Sequence, residues 1–372
     1  MVPVAASPRL SWRVRSVLGA RRDGLVPPPG TASPEGLFGP RGVFLGPGVT
    51  VVADTGNHRV AIWRGALADN AAADVILGQA GPYGEGRNRG GAASPGSMFV
   101  PASAVLVGGV LVVADSWNHR LLFWASLPTS DGAPAEWVWG QADGSSNCPN
   151  RGGEPTPNSL YWPYGLASDG RRLAVADTGN RRVLVFDSIP QGPECEPDVV
   201  LGQPNRKSGA DNAAGAPSAA SFRWPHGLAT DGRVLLVADA GNHRVLEWGT
   251  FPAADGEPAS LAIGQPDLVS TGENGGGRVG PNVLRFPYGV ALARSGPVVL
   301  DTVNHRALSL DRERQVVGCF GQTDLWSAGE NRWRPVERDS LCWPYGAHGG
   351  ADGSLAIADT GNNRVLLMEV ET

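Results

Sequence analysis

Lysine is almost missing from this chain: Lys207 is its single copy, and nearly all positive charge sits on arginine. With 31 Lys+Arg against 36 Asp+Glu the formal net charge is -5, so no global basic surface invites nucleic acid or an anionic membrane. Long apolar runs are absent too. The longest, residues 105–114, is too short to span a bilayer and contains Gly108 and Gly109. Residues 1–15 lack the apolar centre of a secretory signal. Cys148, Cys195, Cys319 and Cys342 show no CxxC spacing, so unpaired thiols in a reducing cytoplasm are expected, with a Cys148–Cys195 loop disulfide as the alternative. There is no Gly-x-Ser-x-Gly elbow and no phosphate-binding glycine loop.

What the chain has instead is repetition. An Asp, an Asn and an Arg return together six times, at Asp54-Thr55-Gly56-Asn57-His58-Arg59 and then from Asp115, Asp177, Asp239, Asp301 and Asp359. The Asp-to-Asp spacings are 61, 62, 62, 62 and 58 residues. Such a period sets the architecture before any single residue is interpreted. A Pro opens each unit, at Pro40, Pro101, Pro163, Pro225, Pro287 and Pro344, and lies 14 residues before the motif Asp in five units and 15 in the last. Asp169-Gly170, Asp231-Gly232 and Asp352-Gly353 follow the first apolar stretch and predict type I′ hairpins. An alternating strand leads into the motif, another leaves it, and a fourth ends in Gly-Gln at Gln79, Gln141, Gln203, Gln265 and Gln322.

Four short antiparallel strands per unit, repeated six times, predict an all-β six-bladed propeller of four-stranded blades. The whole chain, 1–372, reads as one domain, with blades near 37–80, 98–141, 160–203, 222–265, 284–322 and 341–370. The last unit lacks its fourth strand, and residues 12–20 resemble it, so they are expected to complete the last blade and close the ring. Trp63, Trp124, Phe186, Trp248, Leu310 and Met368, each six residues after the motif Asn, are expected in the core between blades. Asn88, Asn150, Asn212, Asn274 and Asn331 stand nine residues after the Gln and 13 before the next Pro, a constancy that implies an ordered crossover loop anchored by the Asn. Apart from the one extra residue before Asp359, the length changes fall between the third and fourth strands, and blade five is shortest there.

These residues resemble the NHL-repeat family over about residues 36–370. Asn57-His58-Arg59, Asn118-His119-Arg120, Asn242-His243-Arg244 and Asn304-His305-Arg306 carry its motif with Arg in third place. Asn180-Arg181-Arg182 and Asn362-Asn363-Arg364 depart at the His position. The resemblance implies a propeller, within a family whose members include enzymes, RNA-binding modules and protein scaffolds. It also implies that the motif Asp, Arg and His are structural.

Sameness gives way to variety at the residue after each opening Pro: Arg41, Ala102, Tyr164, His226, Tyr288 and Tyr345. In a propeller these should rim the axial channel, and Arg41, Tyr164, His226, Tyr288 and Tyr345 are the candidate ligand-binding residues. Packing of the tyrosines beneath the crossovers is the alternative. The peptidylglycine-amidating lyase is similar in bringing His after Pro to a central zinc, and His226 matches one such position. Tyr occupies the others, and His226 with His348 supplies too few ligands. No catalytic residue and no metal ligand is therefore assigned, and no cofactor is expected, with zinc or calcium as the alternative. Trp326, Arg332, Trp333 and Arg334 in the crossover after blade five are the candidate partner-binding residues. The crossover arginines alternate with Glu85, Glu154, Glu273 and Glu330, which argues against nucleic acid. The expectation is a cytoplasmic monomer that binds a protein partner or small ligand without chemistry, with a channel lyase or hydrolase using His226 as the alternative.

Overall fold

Six four-stranded antiparallel sheets account for all the strands in the computed structural model, which describes residues 10–19 and 32–371. Blade four is representative, with strands Pro225–Thr230, Leu235–Asp239, Arg244–Trp248 and Leu261–Ile263 paired in that order. The innermost strands touch in ring order, blade six meeting blade one through Pro344–Gly349 and Gly42–Gly46. No helix among the described residues is long and apolar enough to cross a membrane. The four cysteines are free thiols.

Ring closure follows the sequence expectation. Trp12–Leu18 pairs antiparallel with Arg364–Val370 and becomes the outer strand of blade six. Trp12, Val17 and Leu18 are buried there, and the Trp12 indole donates to Ser309 Oγ of blade five at 2.8 Å. Trp63, Trp124, Phe186, Trp248, Leu310 and Met368 are all buried between blades.

The Asp-Gly turns differ from expectation. Type I′ needs positive φ at both central residues, but only Gly170, Gly232 and Gly353 adopt it (φ 92°, 85° and 90°) and the preceding Asp does not. The Asp side chain instead folds back as an acceptor: Asp169 Oδ1 takes the N–H of Arg171 at 2.9 Å and of Arg172 at 2.7 Å. The pair with both residues at positive φ is Gly108-Gly109, between Val107 and Val110.

Each motif turn is built on a buried ion pair. In blade four Asp239 Oδ2 accepts from Arg244 Nε at 2.9 Å and Asn242 Nδ2 at 2.8 Å, and Oδ1 accepts the Arg223 N–H at 2.7 Å. Arg244 also donates to the carbonyls of Leu268, Ser218 and Ser221, so one guanidinium ties crossovers on either side of its blade. The same pairing recurs at 2.6–2.8 Å in the other five blades. The crossover Asn does anchor its loop. Asn88, Asn150, Asn212, Asn274 and Asn331 all have φ near +50° and bond the motif Asn of the following blade.

The third-to-fourth-strand loops cover the outer edges. Asp69-Asn70, Asp131-Gly132 and Asp255-Gly256 clasp the preceding blade's outer strand, the Asp accepting one N–H and the next residue donating to the carbonyl of Val17, Ile76 or Val200. In blade five that loop shrinks to Asp311–Gln315, and the outer strand of blade four is the more exposed for it, Leu261 by 39%. This edge is where the shorter repeat spacing has its physical consequence.

Candidate functional site

Glycine lets the innermost strands crowd around the axis. A Cβ at Gly165, Gly227, Gly289, Gly346 or Gly42 would lie 1.9–2.7 Å from the carbonyl oxygen of the following blade's post-proline residue. That explains the Pro-Xaa-Gly opening: without a side chain at the third position, the side chains at the second can touch around the channel.

They do touch. Tyr164 and His226 have ring centroids 4.7 Å apart, His226 and Tyr288 meet edge to face at 4.5 Å, and Tyr288 stacks on Tyr345 at 4.6 Å with planes 12° apart. The Arg41 guanidinium carbon lies 4.9 Å from the Tyr345 centroid and 5.8 Å from that of Tyr164. Ala102, small and buried, leaves room for Arg41 to reach past blade two. All five candidate channel residues are thus brought together in one ring, and Arg41, in the unit that departs from the aromatic pattern, bridges its two ends.

Burial sets the electrostatics. His226 is pushed down to about 3 by desolvation, with the neighbouring Arg41 charge adding to the effect, so it is neutral at pH 7. Desolvation, with help from Tyr345, pushes the Tyr288 phenol up to about 12. Burial also raises Tyr345. No protein hydrogen bond reaches the hydroxyls of Tyr164, Tyr288 and Tyr345 or the guanidinium of Arg41 from the described residues. His348 lines the lower channel, but its Nδ1 accepts the Leu45 N–H at 3.2 Å and its ring packs on Phe44. Among the described residues no three of His, Cys, Asp or Glu cluster as metal ligands.

A second ring lies above the first, and the sequence reading did not single it out. The residues before the opening prolines, Val100, Trp162, Trp224, Phe286 and Trp343, all have φ between 47° and 60°, and Gly39 has 54°. For bulky side chains ahead of proline this is a strained conformation. The motif histidines hold it: Nδ1 of His58, His119, His243 and His305 accepts the N–H of Val100, Trp162, Phe286 and Trp343 at 3.0–3.2 Å. Asn363 does the same through Oδ1 to Gly39 at 2.8 Å. Arg181, which cannot accept, instead pairs with Asp211. The histidines are therefore acceptors that must stay neutral, consistent with their structural reading. The signal for this second ring was the aromatic before Pro in four units.

Trp162 and Trp224 from this ring join Arg41, Tyr164, His226, Tyr288, Tyr345, Thr178 and Arg181 around a vestibule of about 240 Å³. Trp117 stacks on Trp162 at 6.2 Å and is 43% exposed, extending that wall outward. Among the described residues no Asp or Glu lines the vestibule or the channel below it.

The crossover after blade five presents Trp326 and Trp333 at 62% and 78% exposure, with Arg334 exposed beside them. Arg332 is different. Its guanidinium pairs with Glu337 and Asp339 and donates to the Gly321 carbonyl, as Arg89 does to Gly78. It belongs to the loop's own scaffold. Arg89, Arg151 and Arg206 are likewise engaged with a neighbouring blade's loop.

The arrangement defines a six-bladed β-propeller with an axial pocket at its motif face. The NHL repeat model matches residues 222–248, the whole of which is the first three strands of blade four. NHL repeat-containing protein 2 of Homo sapiens is 25% identical over 348 residues, covering 87% of this chain and 45% of its own length. Its Bos taurus counterpart is 28% identical over 145 residues, covering 38% of this chain and 18% of its own. The chain therefore spans under half the length of these curated relatives. An auxiliary nutrient binding protein from Bacteroides thetaiotaomicron shares the fold, with TM-score 0.54 and 10% identity over 98% of this chain and 77% of that one. The chain thus carries six ordered motifs on six blades, one of them matched as an NHL repeat, and is similar to NHL repeat-containing protein 2.

Proposed function

We propose that this propeller is a non-catalytic binding scaffold, acting as a cytoplasmic monomer, whose motif face holds its ligand at the axial vestibule. One observation carries the reading. The recurrent polar groups of the repeat are engaged in structure, whereas among the described residues no protein hydrogen bond reaches the functional ends of the five channel-ring residues. A concave pocket with aromatic walls and a few converging polar groups is the usual form of a ligand site. The exposed Trp326, Trp333 and Arg334 would serve a protein partner on the same molecule, with Arg332 contributing only through its loop.

The lyase or hydrolase reading is weaker on this chemistry. A general base works best with a pKa near the working pH, and His226 at about 3 is a poor one. The test is a fragment library screened by ligand-observed NMR against wild type and Tyr288→Ala. Hits lost in a folded variant support the reading. Hits indifferent to the ring, or turnover of a hit by wild type and not by His226→Ala, would overturn it.

A further inference from the structure

The lining atoms of the vestibule set the chemistry of a ligand it can hold. Donors are in excess. Among the described residues no protein carboxylate or carbonyl accepts from the five N–H groups of Arg41; Tyr164, Tyr288 and Tyr345 offer hydroxyls, and the Trp162 and Trp224 indole N–H groups have no protein acceptor there. On the other side stand the neutral ring of His226, with one acceptor nitrogen, the tyrosine oxygens, which also donate, and the Thr178 hydroxyl, which is already engaged with the Pro225 carbonyl. Arg181 is paired with Asp211, a carboxylate that Arg223 also approaches at 3.7 Å. Among the described residues Arg41 is the one cation of the lining with no carboxylate partner, and no Asp or Glu lines the site there.

Aromatic faces attract cations, so a cationic ligand has to be considered. Here that slot is filled from within: the Arg41 guanidinium already lies over Tyr345 and Tyr164. A second cation would meet the Arg41 charge in a partly dehydrated pocket, where repulsion is stronger than in water. A neutral ligand would leave the guanidinium uncompensated. An anion would complete it, taking charge-assisted hydrogen bonds from Arg41 and the tyrosine hydroxyls.

We infer that the vestibule is a site for a small aromatic anion, a carboxylate or phosphate on a flat ring, with the acid group on Arg41 and the ring between the indoles of Trp162 and Trp224. The volume of about 240 Å³ suits one ring with its acid group. The inference rests on the binding reading above and assigns it a ligand class.

Isothermal titration of the full chain with phenyl phosphate and benzoate, against benzyl alcohol and benzylamine, tests it. The anions should bind at least about tenfold tighter than both other probes, and weaken as salt is raised. Arg41→Gln should lose about tenfold or more in anion affinity with an unchanged melting temperature and circular dichroism, Arg41→Lys should recover part of it, and Tyr288→Phe should lose less than Arg41→Gln. Equal binding of benzyl alcohol or benzylamine, lost on Trp224→Ala, would overturn the anion assignment and leave the pocket as a binding site. Unchanged anion affinity in folded Arg41→Gln, or no binding by any probe at millimolar concentration, would also overturn it. The NMR screen decides independently whether the ring binds anything.

Discussion

Replacing Asp239 by Asn keeps the side chain's shape while removing the charge that Arg244 was folded against. Both side chains are 0% exposed, and Asp239 accepts three hydrogen bonds at 2.7–2.9 Å. The amide has a single acceptor oxygen, so one of those donors faces its NH2 group, and the guanidinium stays buried against carbonyls alone. Breaking a buried pair from one side costs about 3–5 kcal/mol. For 372 residues unfolding as one unit, an entropy of about 2.1 cal/mol/K per residue makes this a fall of roughly 4–6 °C in Tm. Arg244→Met alone orphans the carboxylate and should cost a similar amount. The double variant should cost about 1 kcal/mol or more less than the sum of the two, because neither charge is then left alone. Chemical and thermal denaturation followed by circular dichroism supplies the cycle. A single-variant loss below about 1 kcal/mol, or strict additivity, would refute the reading of the motif Asp and Arg as a buried structural pair.

Three further outcomes are expected. Removing residues 1–20 deletes a strand that buries Trp12, Val17 and Leu18, at about 1.5–3 kcal/mol each, and uncovers the edge of blade six, so Tm should fall by more than about 10 °C; an unchanged melt would contradict ring closure. Burial holds His119 at about 4, down from 6.5, so the unfolded chain takes up a proton across that window that the folded chain does not. Its stabilisation, roughly 3 kcal/mol, is complete above about pH 6.5 and is lost as pH falls toward 4. His119→Asn, which copies Asn363, should therefore lose less Tm than wild type between pH 7 and pH 4.5, and parallel Tm curves would contradict it. Trp333→Ala, at a position 78% exposed whose indole lies against Gly329 of its own loop, should leave Tm within about 1 °C, and a larger drop would mean that the loop depends on that contact.

Much of this molecule is legible as sequence because the repeat averages out local ambiguity. The spacing from Pro to Asp and from Gln to Asn yields the blades, the closing strand and the anchored crossovers. The fixed spacing cannot say what an anchoring Asn touches, since its partner is the next blade's motif Asn, 30 residues on. Asp-Gly does not settle the turn type because it serves two chemistries: a mirror-image turn, and an Asx turn in which the carboxylate captures the following N–H groups, and the four-residue loop between Ser168 and Leu173 favours the second. The channel residues are legible because they stand where the units differ. Their neighbours Trp162 and Trp224 are not, because an aromatic repeated in four units resembles packing, and a left-handed residue before Pro is not an expected conformation. Sequence proximity places Arg332 with its exposed neighbours and says nothing of Glu337 and Asp339 closing on it.

The most direct test of the account is a crystal structure of the protein soaked with phenyl phosphate. The account predicts density at the vestibule, with the phosphate on Arg41 and the ring between Trp162 and Trp224, and none there in Arg41→Gln. An empty vestibule with phenyl phosphate bound elsewhere on the propeller would contradict it.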